Sequence, residues 1–385
     1  MKRLICYAAV AGLLAAPAAR AQTTLLVTVP ASTPPGQPVY VAGAFNAWQP
    51  AAPGYALARQ PDGRYRLVLP ATVRGMQEFK LTRGSWGAAE GDAAYQALPN
   101  SRAELGTGTL RLQVATWQDQ RPGPAASAAP RAHTLTGNVQ VLADSFRMPQ
   151  LPGRTRRVWL YLPPGYSALS GRRYPVLYLQ DGQNVFDQAT SFAGEWGVDE
   201  TLSQLKGAGC IVVAVDNGGE RRLDEYSPWP NAELKKGGEG AAYVDFLTFT
   251  LKPYVDAHYH TLPDAAHTGI AGSSMGALIS LYAGLKYPLA FGRVGVFSPA
   301  IWFAQDSLLA YERQHRPAPL ASRFYFVAGP AESETMLPLM AQARDALLAR
   351  GVPAASIAFR APADGQHAEW FWRREFGAAF QFLMR

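Results

Sequence analysis

The sequence predicts two domains of different class: a small all-β, immunoglobulin-like sandwich, then a larger α/β domain on a doubly wound sheet. Three observations carry this. Short runs rich in Val, Leu, Tyr and Phe, separated by turn residues, fill residues 22–120. From residue 132 to 385, continuous apolar runs of the buried, parallel type alternate with helical patterns. Between them residues 121–131, RPGPAASAAPR, have no apolar period and read as a linker.

Residues 1–21 are read as a signal peptide rather than as part of either domain. Lys2 and Arg3 precede an apolar run, Leu4 to Ala16, and Ala19-Arg20-Ala21 offers a cleavage site. The run is too short for a membrane span, and the expected location is secreted or periplasmic. Without Lys2, Arg3 and Arg20 the 36 basic residues fall to 33 against 29 acidic, a balance of +4. That balance, with no Lys/Arg block, points away from nucleic acid. Loss of Cys6 with the leader leaves Cys210 alone, so no intrachain disulfide is expected. No transmembrane segment, metal-ligand spacing or phosphate-binding glycine loop is read from the chain, and no cofactor is implied.

In the front domain the runs are LLVTV, PVYVAG, RYRLVLP, EFKLTRG and TLRLQV, with a hairpin turn expected at Pro61 to Gly63. VYVAGAFNAWQP, EFKLTRGSW and LPNSR resemble, in order and spacing, the starch-binding and glycogen-recognition modules. The resemblance implies a sugar platform of Trp48, Lys80 and Trp86, with Asn100 a weaker match and Tyr95 competing for the third position. Indole faces suit the apolar C–H faces of sugars, and Lys and Asn suit hydroxyls. Binding of an α-glucan is the partner this implies, at a site that the linker keeps apart from the second domain. The alternative is a spacer in which Trp48 plugs the sandwich edge, or a lid.

In the second domain NVQVLADSF and RRVWLYLPPGY open the sheet. YPVLYLQDGQN, CIVVAVDNGG, RVGVFSPAIW, RFYFVAGP and SIAFRAP supply further strands. Helices are expected at 195–206, over VDFLTFTLKPYVDAHY, at 338–350 and at 370–383. In such sheets function collects at the C-terminal ends of the strands.

One strand end stands out. In HTGIAGSSMGALISLYAGLKYP a strand closes at Gly269-Ile270-Ala271, and a helix runs from Ala277 to Lys286. Gly272 and Gly276 let the chain reverse within one turn with Ser274 at its apex. This is the G-x-S-x-G nucleophile elbow. A serine nucleophile needs a base, and the base an orienter. In the α/β-hydrolase fold the chain order is serine, acid, histidine, and only His315 and His367 follow Ser274. His315, in YERQHRP, reads as a solvated residue. His367 lies in a glycine-containing loop between the last strand and last helix and is the expected base. Glu332, three residues past Gly329, is the expected acid, with Glu334 the alternative; Asp364 and Glu369 flank the histidine on the wrong loop. The oxyanion would take the N–H groups of Met275 and of Gln183, after the turn at Gly182.

LYLQDGQNVF, EYSPW, GGEGAAYVDFLTFTLKPYVD, GSSMGALISLYAGLKYP, FSPAIWF and GQHAEWFW together resemble the putative-esterase family. It includes esterase D-like, enterochelin (ferric-siderophore) esterase-like and feruloyl esterase enzymes and the mycolyltransferases. The resemblance spans residues 135–385 and implies Ser274 as nucleophile and His367 as base. Gly329-Pro330-Ala331-Glu332 departs from the family's Gly-Thr-Asn-Asp or Gly-Thr-Lys-Glu while keeping the acid's register, and Ala277 replaces a further Gly. Some siderophore esterases work as a dyad without an acid.

Three functions are consistent with this pattern. One is a secreted serine ester hydrolase acting on small-molecule or polysaccharide-linked esters, siderophore-like ones included. The others are an acyltransferase with the same triad and a non-catalytic sugar-binding protein. Trp229 in EYSPWP and Trp302 in SPAIWF follow strand ends and are candidate pocket residues, and each is equally readable as packing.

Overall fold

A computed structural model describes residues 22–46, 48–93, 95, 98, 100–120, 131–192, 194–205, 207, 209–232, 234–314, 322–330 and 332–384. The segment expected as a leader, nearly all of the one expected as a linker, and His315 lie outside the described residues.

The front domain is all-β. Its strands are β1 (Thr24–Thr28), β2 (Val39–Gly43), β3 (Ala56–Arg59), β4 (Tyr65–Val68) and β5 (Gly75–Thr82). Then come β6 (Glu90–Gly91), β7 (Ser101–Leu105), β8 (Thr109–Gln113) and β9 (Thr116–Trp117). Seven pair in the order β7-β5-β2-β3-β4-β1-β8. The ribbon folds over at β3, where Leu57 pairs with Val39 of β2 while Ala58 pairs with Arg66 of β4. Both halves therefore bury alternate residues in one core: Leu25 and Val27 from β1, Val41 from β2, Phe79 and Leu81 from β5. The turn at Pro61–Gly63 closes the β3–β4 hairpin, with Gln60 N–H donating to Arg64 O at 2.7 Å. ALAR and SRAEL, too short and polar to signal strands, form β3 and β7.

The second domain holds β10 (Val139–Arg147), β11 (Thr155–Tyr161), β12 (Val176–Gln180) and β13 (Ile211–Val215). It continues with β14 (Thr268–Ser273), β15 (Arg293–Phe297), β16 (Arg323–Val327) and β17 (Ile357–Arg360). The sheet order is β10-β11-β13-β12-β14-β15-β16-β17. The first two pairings are antiparallel, and all from β13 onward are parallel. The helices are α1 (Val198–Gln204), α2 (Arg222–Glu225), α3 (Gly240–Phe246), α4 (Lys252–His258), α5 (Met275–Lys286), α6 (Gln305–Gln314), α7 (Met336–Ala349) and α8 (Glu369–Met384).

Strand residues alternate between two cores. Leu177, Leu179, Val212 and Ala214 pack with α1 and α8, and Val176, Tyr178, Val213 and Val215 with α3, α5 and α7. This is the doubly wound α/β-hydrolase architecture. Between α3 and α4 the chain takes one π turn, Leu247–Leu251, just before Pro253, which has no N–H to give a helical ladder. No helix among the described residues is long and apolar enough to cross a membrane. The chain leaves β12 for β13 on one side and returns to β14 on the other. The crevice at this switch point lies between the C-terminal ends of β12 and β14, which carry Asp181-Gly182-Gln183 and Ser274.

Candidate active site

Ser274 stands between β14 and α5 at φ 57° and ψ -121°. L-residues rarely adopt this conformation, which costs on the order of 1–3 kcal/mol. Close packing enforces it. A Cβ on Gly272 would come within 2.8 Å of the Gly276 backbone, and one on Gly276 within 3.0 Å of Asp181 Oδ2 and Gln180 Cβ. The Ser274 N–H donates to Phe297 O at 2.9 Å, and its carbonyl accepts from the N–H of Ala277, Leu278 and Ala300.

Two and three strands along the sheet from β14, the acid loop after β16 and the histidine loop after β17 touch. A Cβ on Gly329 would lie 1.9 Å from Gly365 O, so only paired glycines allow the two backbones to meet. That approach sets His367 Nδ1 2.9 Å from Glu332 Oε2. Glu332 is 2% exposed. Its Oε1 accepts from Gly329 N–H (2.6 Å) and Ser298 Oγ (2.9 Å). Ser298 Oγ in turn accepts from Trp372 Nε1 at 2.9 Å, and the Trp372 ring meets His367 edge-on, centroids 5.2 Å apart. Ser298 and Trp372 were not singled out from sequence, where they lie within RVGVFSPAIW and the helix expected at 370–383. With Nδ1 committed to Glu332, Nε2 is the ring nitrogen left for proton transfer. Burial disfavours the imidazolium. The Glu332 hydrogen bond and charge, then Glu78 and Glu369, outweigh that effect and hold His367 above its ordinary pKa.

Glu334 does not reach the histidine's bond. Its side chain lies against Gly75 of the front domain, where a Cβ would come within 2.0 Å of its Oε1.

Met275 opens α5 and Gln183 lies in the single 3₁₀ turn Gly182–Asn184, so both amides belong to first turns, whose N–H groups have no carbonyl partner within their own helix. The Gln183 loop is braced. Asp181, at φ 55°, is gripped by Arg222 Nε (2.7 Å) and Nη2 (2.9 Å) and by Asn217 Nδ2 (2.7 Å). A Cβ on Gly182 would meet the β13 end at 2.8 Å, so a larger residue would push the loop outward.

The expectation of two separate sites is corrected by the packing of the domains. Trp48 stacks on the His367 ring, with Trp86 6.2 Å from Trp48 between centroids. Lys80, on the β5 face opposite the core residues Phe79 and Leu81, is buried, its Nζ donating to Leu98 O at 2.5 Å. That bond takes one of the ammonium's three N–H groups, and burial lowers its pKa against the opposing charges of Glu90 and Glu369. Asn100 does lie near Trp48's partner, its Nδ2 3.4 Å from His367 O.

Trp302 follows β15 in the turn Ile301–Phe303, next to Ala300, whose N–H bonds Ser274 O. Trp229 is packed edge-on against Tyr282 (5.3 Å) and Tyr311 (5.7 Å), which gives it a packing role along α5.

The profile of the family described as "Putative esterase" matches residues 150–383. An uncharacterized protein, YbbA, of Bacillus subtilis (strain 168) is 28% identical over 240 residues, 59% of this chain and 92% of that protein. An alpha-amylase of Niallia circulans is 39% identical over 99 residues, 25% of this chain and 8% of the amylase. Among solved structures, the Shigella flexneri enterobactin esterase FES, in the presence of 2,3-di-hydroxy-N-benzoyl-glycine, aligns with a TM-score of 0.50 at 20% identity. That alignment covers 90% of this chain and 87% of that one, a likeness of fold.

Proposed function

This carboxylic-ester hydrolase belongs to the Putative esterase family, and on that premise we propose that it works through an acyl-enzyme on Ser274. The observation that carries the reading is the 2.9 Å bond between Glu332 and His367, on loops at the same sheet edge as the strained Ser274 elbow. His367 Nε2 takes the Ser274 proton as Oγ attacks the ester carbonyl. The tetrahedral oxyanion faces the Gln183 and Met275 amides, and each such donor is worth about 10²–10³ in rate. The imidazolium then returns its proton to the departing alcohol. Water repeats the cycle on the acyl-enzyme and releases the acid.

The substrate in this reading is an ester carried on a sugar or a siderophore-like scaffold. The amylase similarity and the Trp48–Trp86 pair beside the histidine support the sugar-bearing class. In this reading the front module meets carbohydrate as part of the ester substrate, and an α-glucan is its candidate polymer. The leader at residues 1–21 supports action outside the cytoplasm, as a secreted or periplasmic enzyme.

The test is turnover of activated aryl, feruloyl, acetyl-sugar and siderophore esters by the full chain and by Ser274→Ala, with and without a sugar acceptor. The expected result is hydrolysis by the native chain alone, fastest on sugar-bearing esters. A correctly folded Ser274→Ala with near-native turnover would overturn the serine mechanism.

A further inference from the structure

The front domain encloses His367. Glu78, on β5, is 1% exposed. Its Oε2 accepts from the main-chain N–H of His367 at 3.4 Å and from Asn100 Nδ2 at 3.3 Å. The same Asn100 amide donates to the main-chain carbonyl of His367. Both main-chain polar groups of the histidine are therefore held from the other domain. Glu78 Oε1 has no hydrogen-bond partner among the described residues, with Arg102 Nε 3.9 Å away.

At rest Arg102 faces that oxygen at ion-pair rather than hydrogen-bond distance, and burial raises the Glu78 pKa, with the charge of His367 opposing. The proposed mechanism adds a second positive charge there, on the imidazole ring of His367.

Trp48 completes the enclosure. Its backbone sits at φ 55°, a strained choice for a tryptophan. Local bonds fix that turn: Trp48 N–H donates to Gly43 O at 2.8 Å, and Asn46 bridges Gly43 N–H and Val41 O. The turn presents the indole face to the His367 ring at 6.1 Å and 20° between planes. An indole face at that range attracts a cation.

We propose that the β-sandwich is a working part of the base: Glu78 positions the His367 main chain and, with the Trp48 face, stabilises the imidazolium formed when Ser274 is deprotonated. This rests on the serine–histidine reading above. The charged groups around the ring are Glu332 from the loop after β16, Glu369 at the start of α8 and Glu78 from β5. Arg102 of β7 opposes Glu78, while Lys80 and Asp181 face Glu369. Removing the Glu78 charge leaves the imidazolium with less negative potential, so the histidine's pKa falls.

The experiment is a pH profile of kcat/KM for the full chain on a small, sugar-free aryl ester. Glu78→Gln keeps an acceptor for the His367 N–H but loses the charge. Its acidic limb is expected to move to lower pH by roughly half a unit or more, with a several-fold loss of kcat. Trp48→Ala should lose about tenfold in kcat with little change in KM, and Trp48→Phe should recover most of it. A wild-type limb in Glu78→Gln, or wild-type kcat in Trp48→Ala, would overturn the proposal. Trp48→Ala also serves if Glu78→Gln does not fold. In either case covalent labelling of native Ser274 by a fluorophosphonate would leave the serine mechanism standing, so the two failures are distinguishable.

Discussion

Trp48 of the front domain lies against His367 of the second, ring centroids 6.1 Å apart and planes 20° apart. The aromatic face expected to grip a separate polymer is turned onto the candidate base. Trp86 borders that face without stacking on the histidine. Trp86→Ala is therefore expected to lower kcat/KM for a sugar-bearing ester several-fold more than for a plain aryl ester, on the scale of one aromatic contact of about 1 kcal/mol. Equal losses on the two substrates would remove Trp86 from the sugar site.

Glu332 accepts three hydrogen bonds in a buried pocket, while Glu334 packs at Gly75. Glu332→Gln is expected to cut kcat by about 10²–10⁴, as loss of a triad acid does elsewhere. Glu334→Gln should stay within about threefold of native, the range left to a residue outside the triad. Steady-state kcat of the two variants decides between them.

The pH dependence has a definite sign. A base must be neutral to accept a proton, and His367 is held above the ordinary histidine value of about 6.5, against its burial, by Glu332, Glu78 and Glu369. Activity should therefore fall as pH drops through an acidic limb lying above about 6.5. A limb at or below that value would mean that burial prevails over the carboxylates.

Gly329→Ala tests how the two loops meet. Its Cβ would lie 1.9 Å from Gly365 O, a backbone atom that cannot swing aside. Overpacking of this kind costs about 1–3 kcal/mol. A lower thermal midpoint is expected, together with a loss of kcat as Glu332 and His367 part. An unchanged midpoint and kcat would show that the loops can shift freely.

Much of this was legible in the chain because it is local. Strand, glycine, serine, glycine and helix are consecutive at residues 268–286, and the doubly wound sheet follows from alternating apolar runs. Loops after β16 and β17 are neighbours by topology, so chain order alone directs attention to Glu332 and His367. What was hidden depends on tertiary contact. Glu78 reads as an ordinary strand residue, and no periodicity says that β5 will dock on the histidine loop. Lys80 matches a motif position, but its burial beside Glu90 and Glu369 depends on how the two domains pack. Ser298 and Trp372 carry hydrogen bonds that their residue types alone do not announce.

The serine mechanism meets its most direct test in mapping a fluorophosphonate adduct on the native full chain by peptide mass spectrometry. The expected result is a single adduct on Ser274, formed in step with loss of esterase activity and suppressed in His367→Ala. An adduct on another residue, or full loss of activity with Ser274 unmodified, would contradict it.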